Sequence, residues 1–274
     1  MSRAVDPDPG PRQLRDRALL LHGALRNVEL GLDDVRSYGS DSFGDPDYVS
    51  IYGLRPAEWY GRGIRLLGRT AVECTRDVLA DAIGQEIAGE VGRLAPVPRI
   101  LVLDPFAGSC NTLHWILHHL AGSTGMGFEL DPVVFELTGR NLRVLGSPIE
   151  LLPGTYETLL AECTVPADAA LVVFVAPPWG TALDEKQGLD LRRTTPPITE
   201  IVDRVCARFP TTRVLFAIQV YEKVENASLA ELQGRLDGTR LQLYALVAPG
   251  RNHGILLGRR GWEMGSAPGV TPRE

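Results

Sequence analysis

Lysines, closely spaced cysteines and long apolar runs are scarce in this sequence, and the last two shortages each argue against a class of protein. The basic residues are nearly all arginine, a coding bias to which we attach no mechanism. The four cysteines (Cys74, Cys110, Cys163 and Cys206) lie far apart with no CxxC pair, which argues against a disulfide framework or a zinc ribbon. No run of 18 apolar residues occurs, and the first residues, MSRAVDPDPGPRQ, are polar. We therefore expect a cytoplasmic protein without a membrane span.

An excess of positive charge is also missing. The formal net charge is −6 and the pI is about 5.5, so no basic field is available to hold long nucleic acid. A small-molecule partner is the better expectation. With 274 residues and 44% apolar content, the chain can bury one large core. The sequence leaves the oligomeric state open.

Short apolar runs alternate with helical patterns after residue 98. The runs that read as strands are RILVLD, GMGFEL, IELLPG, ALVVFVAP and RVLFAIQV. They are apolar throughout, as parallel strands covered on both faces are. The final runs, RLQLYALVA and HGILLGRR, predict a hairpin that adds an antiparallel strand. The pattern predicts an α/β fold with a mostly parallel sheet.

The region before this sheet is predicted to be a helical extension. We expect a helix from Gln13 to about Leu32, a loop-like stretch SYGSDSFGDPDY, and a helix capped by Thr75 that runs through Ile87. The predicted divisions are a disordered tail (1–12), the extension (13–95), the sheet domain (96–262) and a second disordered tail (263–274).

The stretch LVLDPFAGSCNT places an aspartate at a strand end, followed by a glycine turn and a helix. In an open α/β sheet, ligands bind at this edge. Cys110 stands where a dinucleotide fingerprint needs its second glycine, so a nucleoside without phosphates is favoured. Asp104 could hold an ammonium group, Gly108 would let a ligand approach the backbone, and Glu129 could take both hydroxyls of a ribose. Taken alone, the glycine motif has an alternative interpretation as an ordinary tight turn that binds no ligand.

The fragment APPW follows the strand VVFV and must end it, because proline lacks the N–H and fixes φ. Pro177 and Pro178 would hold carbonyl groups toward a cleft, where these could accept N–H bonds from an amine. Trp179 would supply a flat face for stacking a ring. The alternative is that Trp179 belongs to the core.

These motifs together resemble class I S-adenosylmethionine-dependent methyltransferases. DPFAGS is similar to the methionine-binding turn of that family, GFELDP to its ribose-binding motif, and APPW to the [DNS]PP[YFW] motif of enzymes that methylate exocyclic amines. Within the family, the chain most resembles trimethylguanosine synthase over roughly residues 60 to 260. The resemblance implies a Rossmann-like seven-stranded sheet, mostly parallel with one antiparallel strand, and S-adenosyl-L-methionine as the cofactor, with S-adenosyl-L-homocysteine as the product.

The resemblance also implies a set of site residues. The predicted cofactor-binding residues are Thr75, Asp104, Phe106, Ala107, Gly108, Asn111, Glu129, Leu130 and Thr155. The predicted catalytic residues are Ala176, Pro177 and Trp179, and the predicted substrate contacts are Trp59, Tyr60, Pro178, Trp179 and Arg192. The chain departs from the family at two positions. Thr155 stands where an acid often binds adenine, and Ala176 stands where relatives have Asp, Asn or Ser.

The sequence therefore predicts an N-methyltransferase acting on an amine of a small planar acceptor, nucleobase-like or heteroaromatic. The alternatives are a C- or O-methyltransferase of a specialised metabolite, a cap or RNA guanine-N2 methyltransferase, and an inactive RNA-binding or regulatory module. Aromatic residues of the extension, such as Tyr48 and Tyr52, could form a lid or only pack. His114 and His118 have a zinc-like spacing without a carboxylate between them. His253 in the predicted hairpin loop could act as a base, the alternative being that it is merely solvated.

Overall fold

The computed structural model describes residues 17–184, 186–246 and 252–262. Both predicted tails, 1–12 and 263–274, lie outside these ranges, as does most of the hairpin connection. Among the described residues, no helix is long and apolar enough to cross a membrane.

A seven-stranded sheet forms the centre of the molecule. Its strands are β1 (Arg99–Asp104), β2 (Thr124–Glu129), β3 (Glu150–Pro153), β4 (Ala169–Val175), β7 (Val214–Tyr221), β8 (Gly238–Tyr244) and β9 (His253–Arg260). Their order across the sheet is β3-β2-β1-β4-β7-β9-β8. Strand β9 runs in the direction opposite to the other six strands, so its pairings with β7 and β8 are both antiparallel. This order and the single reversed strand confirm the predicted fold class. A small separate hairpin, β5 (Leu183–Asp184) and β6 (Gly188–Leu189), follows Trp179 and was not predicted.

Alternating side chains of the central strands build two cores, one on each face of the sheet. Val173 and Phe216 point to one face, where helices α7 (Tyr156–Glu162), α8 (Ile198–Arg208) and α9 (Asn226–Gln233) cover them. Val172 and Leu215 point to the other face, which α4 (Asp77–Arg93), α5 (Asn111–His119) and α6 (Pro132–Leu145) cover. Burial on both faces explains why these strands read as continuous apolar runs.

The helical extension folds differently from its prediction. Residues 17–21 are helical, so the described part of the first predicted helix is much shorter than expected. Helix α1 (Leu32–Phe43) occupies much of the stretch predicted to be a loop. Val35 and Tyr38 bury one face of α1, and Gly44 ends it in the left-handed conformation at φ +73°. Tertiary packing has therefore overridden the weak helix propensity of the Gly, Ser and Asp residues in this stretch.

Two short helices and one long helix complete the extension. These are α2 (Pro56–Gly61), α3 (Gly68–Glu73) and α4, which begins at Asp77 with Arg76 as its N-cap. The predicted cap at Thr75 is wrong, because the Thr75 hydroxyl donates instead to the side-chain oxygen of Gln219 at 3.2 Å. Helix α4 also continues beyond the predicted end at Ile87, to Arg93.

Candidate functional site

Three neighbouring strands end at the same edge of the sheet and bring the predicted motifs together. Strand β1 lies between β2 and β4 in the order of the sheet. Asp104 ends β1, Glu129 ends β2, and Ala176 follows the last residue of β4. Carboxyl ends of parallel strands are where ligands bind in sheets of this kind.

The glycine turn is held by the two carboxylates beside it. Asp104 accepts a hydrogen bond from the backbone N–H of Phe106 at 3.0 Å. One oxygen of Glu129 accepts from the N–H of Gly108 at 3.0 Å, and the other from the N–H of Asp131 at 2.7 Å. Glu129 therefore joins the end of β2 to the turn that follows β1.

Burial makes negative charge unfavourable at both carboxylates. The Asp104 side chain is almost fully buried, and this burial, with the neighbouring charge of Glu129, raises its pKa to about 7. The hydrogen bond from the Phe106 N–H lowers the pKa but is outweighed. Burial also raises the pKa of Glu129, although the N–H groups of Asp131 and Gly108 oppose the shift. A positively charged ligand group beside Asp104 would stabilise its ionised form.

The backbone conformation of the glycine turn leaves room for a ligand to lie close to the main chain. Gly108 has φ +49°, and a Cβ placed there would meet its nearest neighbour, the carbonyl oxygen of Phe106, only at 4.0 Å. That space is available to a ligand. Cys110 is also left-handed at φ +58° and caps α5. Gly127 on β2 is required for another reason, because a Cβ there would lie 2.8 Å from the Cβ of Ala107.

Asn111 was predicted to bind the cofactor, but the structure gives its amide a structural role. The side chain is 1% exposed, donates to the Thr75 carbonyl at 2.7 Å and to Asp77 at 3.1 Å, and accepts from the Tyr52 N–H at 2.6 Å. The Tyr52 hydroxyl in turn donates to the carbonyl of Ser109. The extension is thus fastened directly to the glycine turn.

Trp179 lies beyond the proline pair and is only partly buried against the core. The carbonyl of Pro178 accepts from the N–H of Thr195 at 3.4 Å, and that of Trp179 from Ala182 at 2.8 Å. Each of these two carbonyl groups accepts one hydrogen bond from the chain, so the carbonyls of Ala176 and Pro177 are the better candidates for main-chain contact to an acceptor amine. Pro178 itself is exposed.

His253, expected in the hairpin loop as a base or a solvated residue, instead begins a strand and is partly buried. It begins β9 opposite Tyr221 of β7 and stacks on Trp179, with ring centroids 5.3 Å apart and ring planes at 27°. Burial, with a smaller contribution from Arg76, lowers its pKa, while Glu222 acts in the opposite direction. Sequence reasoning named His253 but did not place it beside Trp179, because local motifs do not determine the register of an antiparallel strand pair.

The burial of Trp59 contradicts its predicted contact with a substrate, whereas the contact predicted for Arg192 stays a prediction. Trp59 is fully buried in the core of the extension, and its indole N–H donates to the carbonyl of Val49 at 3.0 Å, so it has no surface for a substrate. Arg192 forms ion pairs with Asp190 at 2.9 Å and with Glu225 at 3.0 Å, which neutralise its charge.

The neighbouring Tyr60 belongs to the same packed region as Trp59, since the guanidinium of Arg65 lies 3.7 Å above its ring. An open surface groove of about 610 Å³ includes Arg192 but none of Asp104, Glu129 and Trp179, so we do not connect it with the chemistry.

The remaining predicted cofactor residues lie at the ends of the same strands. Leu130 follows Glu129 and is 68% exposed, so its side chain is accessible to a ligand. Phe106 is half-buried with its ring 5.4 Å from that of Tyr156. Thr155 caps α7 by accepting from the N–H of Thr158 at 3.2 Å.

Metal chemistry has no support from side-chain grouping. Within the described ranges, no three or more His, Cys, Asp or Glu side chains are placed to hold a metal ion. His114 instead packs edge-on against Tyr52 and Trp115.

No family model and no curated protein matches the chain. Among solved structures, it is similar to the METTL16 MTase domain at 13% identity and a TM-score of 0.48, covering 90% of this chain and 93% of that one. A human methyltransferase 10 domain containing protein gives 14% identity and a TM-score of 0.47 over 84% and 98% of the two chains. A Listeria monocytogenes protein described as a class I S-adenosylmethionine-dependent methyltransferase gives 14% identity and a TM-score of 0.43, covering 71% of this chain and 62% of that one. These likenesses are too distant to carry activity or substrate across.

Proposed function

We propose that the protein is an S-adenosylmethionine-dependent methyltransferase acting on an amine of a small planar acceptor. One observation carries the proposal. A buried aspartate, a glycine turn held by a glutamate, and a proline-proline-tryptophan segment end three adjacent strands at one sheet edge. The quoted motifs are similar to the methionine-binding, ribose-binding and acceptor-binding motifs of class I methyltransferases, in the same order.

The residues present fit this cofactor. The carboxylate of Asp104 is buried with a raised pKa, and an ammonium group beside it would relieve the cost of its charge. Each oxygen of Glu129 accepts one backbone N–H and keeps a second lone pair, so the pair can accept the two hydroxyls of a ribose. The open space at Gly108 lets the cofactor lie against the backbone. Leu130 offers an apolar surface next to Glu129.

The acceptor side has to position an amine in line with the donor. When bound, S-adenosylmethionine supplies a methyl group on a sulfonium that becomes neutral on transfer. The chain's own contribution is orientation, since a correctly placed nucleophile removes much of the barrier. Trp179 stacks the acceptor ring, worth about 1–3 kcal/mol in comparable stacking sites. The carbonyl groups of Ala176 and Pro177 accept from the amine, because Ala176 has no polar side chain.

A small acceptor fits the charge of the chain better than long RNA does. The net charge is −6, and Arg192, one of the predicted substrate contacts, is paired with two carboxylates. The resemblance to trimethylguanosine synthase supports a nucleobase amine, and it does not by itself require a polymer.

Calorimetry with S-adenosylmethionine and S-adenosylhomocysteine tests the cofactor assignment first. Methyl transfer to nucleoside monophosphates, heteroaromatic amines, hydroxylated aromatics and long RNA then tests the acceptor, between 50 and 200 mM salt. We expect transfer to a free small amine with little dependence on salt, and a mass-spectrometric product methylated on nitrogen. No cofactor binding refutes the proposal. A steep salt dependence with RNA as sole substrate overturns the small acceptor, and an O- or C-methylated product overturns the amine.

A further inference from the structure

A chain of side chains leads from the extension to the ring of Trp179. Thr75 donates through its hydroxyl to the amide oxygen of Gln219 at 3.2 Å. The amide nitrogen of Gln219 lies 3.2 Å from Nδ1 of His253, whose ring stacks on Trp179. Gln219 is 7% exposed on β7, so its amide has little freedom to reorient.

The orientation of the Gln219 amide assigns a tautomer to His253. In this orientation the amide nitrogen faces Nδ1 of His253, and since an amide nitrogen only donates, Nδ1 is assigned as the acceptor; the reversed amide would assign the opposite tautomer. A neutral imidazole that accepts at Nδ1 carries its proton at Nε2. Burial and the nearby charge of Arg76 lower the pKa of the His253 ring, against the opposing charge of Glu222, and so favour its neutral form.

The Nε2–H group is available to a ligand. No residue in the described part of the chain hydrogen-bonds to Nε2 of His253. His253 is only partly buried, and its ring lies beside that of Trp179. A donor of fixed direction next to a stacking ring is the arrangement that reads the edge of a heterocycle.

We propose that His253 is a specificity residue that donates a hydrogen bond from Nε2 to a ring nitrogen or carbonyl oxygen of the methyl acceptor. This rests on the proposed function. The acceptor then belongs to the aminopurines or aminopyrimidines, in which the amine adjoins an unprotonated ring nitrogen. It also explains how the site manages with Ala176, because the polar side chain that recognises the acceptor comes from β9 instead of from the end of β4.

Two variants at one position separate a ligand contact from a packing role. In His253→Gln, the amide nitrogen can occupy the place of Nε2 and donate. In His253→Asn, the side chain can still accept from Gln219 but has no donor that reaches so far. His118→Asn makes the same change at an exposed histidine of α5 and serves as the control. Each protein is assayed with adenosine, cytidine and guanosine monophosphates and with an arylamine that lacks a ring nitrogen.

We expect kcat/KM for the preferred nucleotide to fall about tenfold or more in His253→Asn, with His253→Gln recovering a large part of that loss. The S-adenosylmethionine Kd should stay within about twofold in both. Equal losses in the two variants, a preference for the arylamine, or transfer to none of the compounds overturns the proposal.

Nitrogen NMR of histidine-labelled protein gives a readout that needs no activity. We expect the Nε2–H tautomer for His253 and a loss of that preference in Gln219→Leu. The Nδ1–H tautomer overturns the proposal even if the enzyme methylates. A protein that binds no S-adenosylmethionine but has the expected tautomer refutes the proposed function and, with it, the role given to His253, while leaving the hydrogen-bond chain intact.

Discussion

Cofactor affinity should depend on pH through Asp104. Its folded pKa is about 7, raised above the ordinary value of 3.8 mainly by burial, so much of the free protein carries a neutral Asp104 at pH 7. A cofactor ammonium group requires the ionised form. Binding below pH 7 must therefore release a proton, and affinity should rise with pH up to about 7 and then level off. For a single group of pKa about 7 that is fully ionised in the complex, affinity rises about 25-fold from pH 5.5 to 7.5, or about 1.9 kcal/mol.

The stability of the free protein should change with pH in the opposite direction to the cofactor affinity. A carboxylate with a raised folded pKa contributes stability that is present below its unfolded pKa and lost as pH rises through the folded value. The free protein should thus melt at a progressively lower temperature as pH rises from about 4 to about 7, above which this contribution levels off, and S-adenosylmethionine should offset that loss.

Calorimetry in buffers of different ionisation enthalpy measures both the affinity and the proton release. Asp104→Asn keeps the acceptor for the Phe106 N–H but cannot titrate, so it should bind weakly with a much shallower pH dependence, the remainder coming from Glu129. A flat wild-type profile, or the same slope in Asp104→Asn, would refute the role given to Asp104.

Three further substitutions have defined outcomes. Glu129→Ala should weaken S-adenosylmethionine binding about tenfold, since a charge-assisted hydrogen bond contributes about 1.5–3 kcal/mol, and an unchanged Kd would remove the ribose assignment. Trp179→Ala should abolish turnover while the Kd stays nearly constant, whereas equal loss of both with a lower melting temperature would make the residue part of the core. Tyr52→Phe should destabilise the protein by about 1–3 kcal/mol in denaturant titrations, because the buried Ser109 carbonyl loses its donor, and Tyr60→Phe should change stability much less. A stable Tyr52→Phe protein would show that this contact contributes little.

The sheet was predictable because its strands are buried on both faces. The run of β4 is entirely apolar, and Gln219 is the one amide side chain in the otherwise hydrophobic run of β7, so an alternative assignment is not competitive. The positions of Asp104, Glu129 and Trp179 at strand ends followed from the same pattern. These residues carry the cofactor and acceptor hypotheses, so the chemically informative half of the site was accessible from the sequence.

The extension was not predictable from local patterns, because its helices depend on tertiary contacts. Helix α1 consists largely of residues that favour turns, and only the burial of Val35 and Tyr38 selects a helix. Trp59 illustrates the converse error. An aromatic residue near glycines suits a lid as well as a core, and nothing in its neighbourhood distinguishes the two until its complete burial is known.

The extension takes part in the site through its backbone, which differs from the action of a lid. Tyr52 adopts φ +57°, a conformation that a tyrosine rarely takes, and both its N–H and its hydroxyl bind the Ser109–Asn111 turn. Thr75 adds the hydroxyl that orients Gln219 and, through it, His253. One segment therefore supports the cofactor turn at one end and the proposed acceptor donor at the other. Removing it would disturb both halves of the site together, so the extension is better regarded as part of the catalytic unit than as a separable cover.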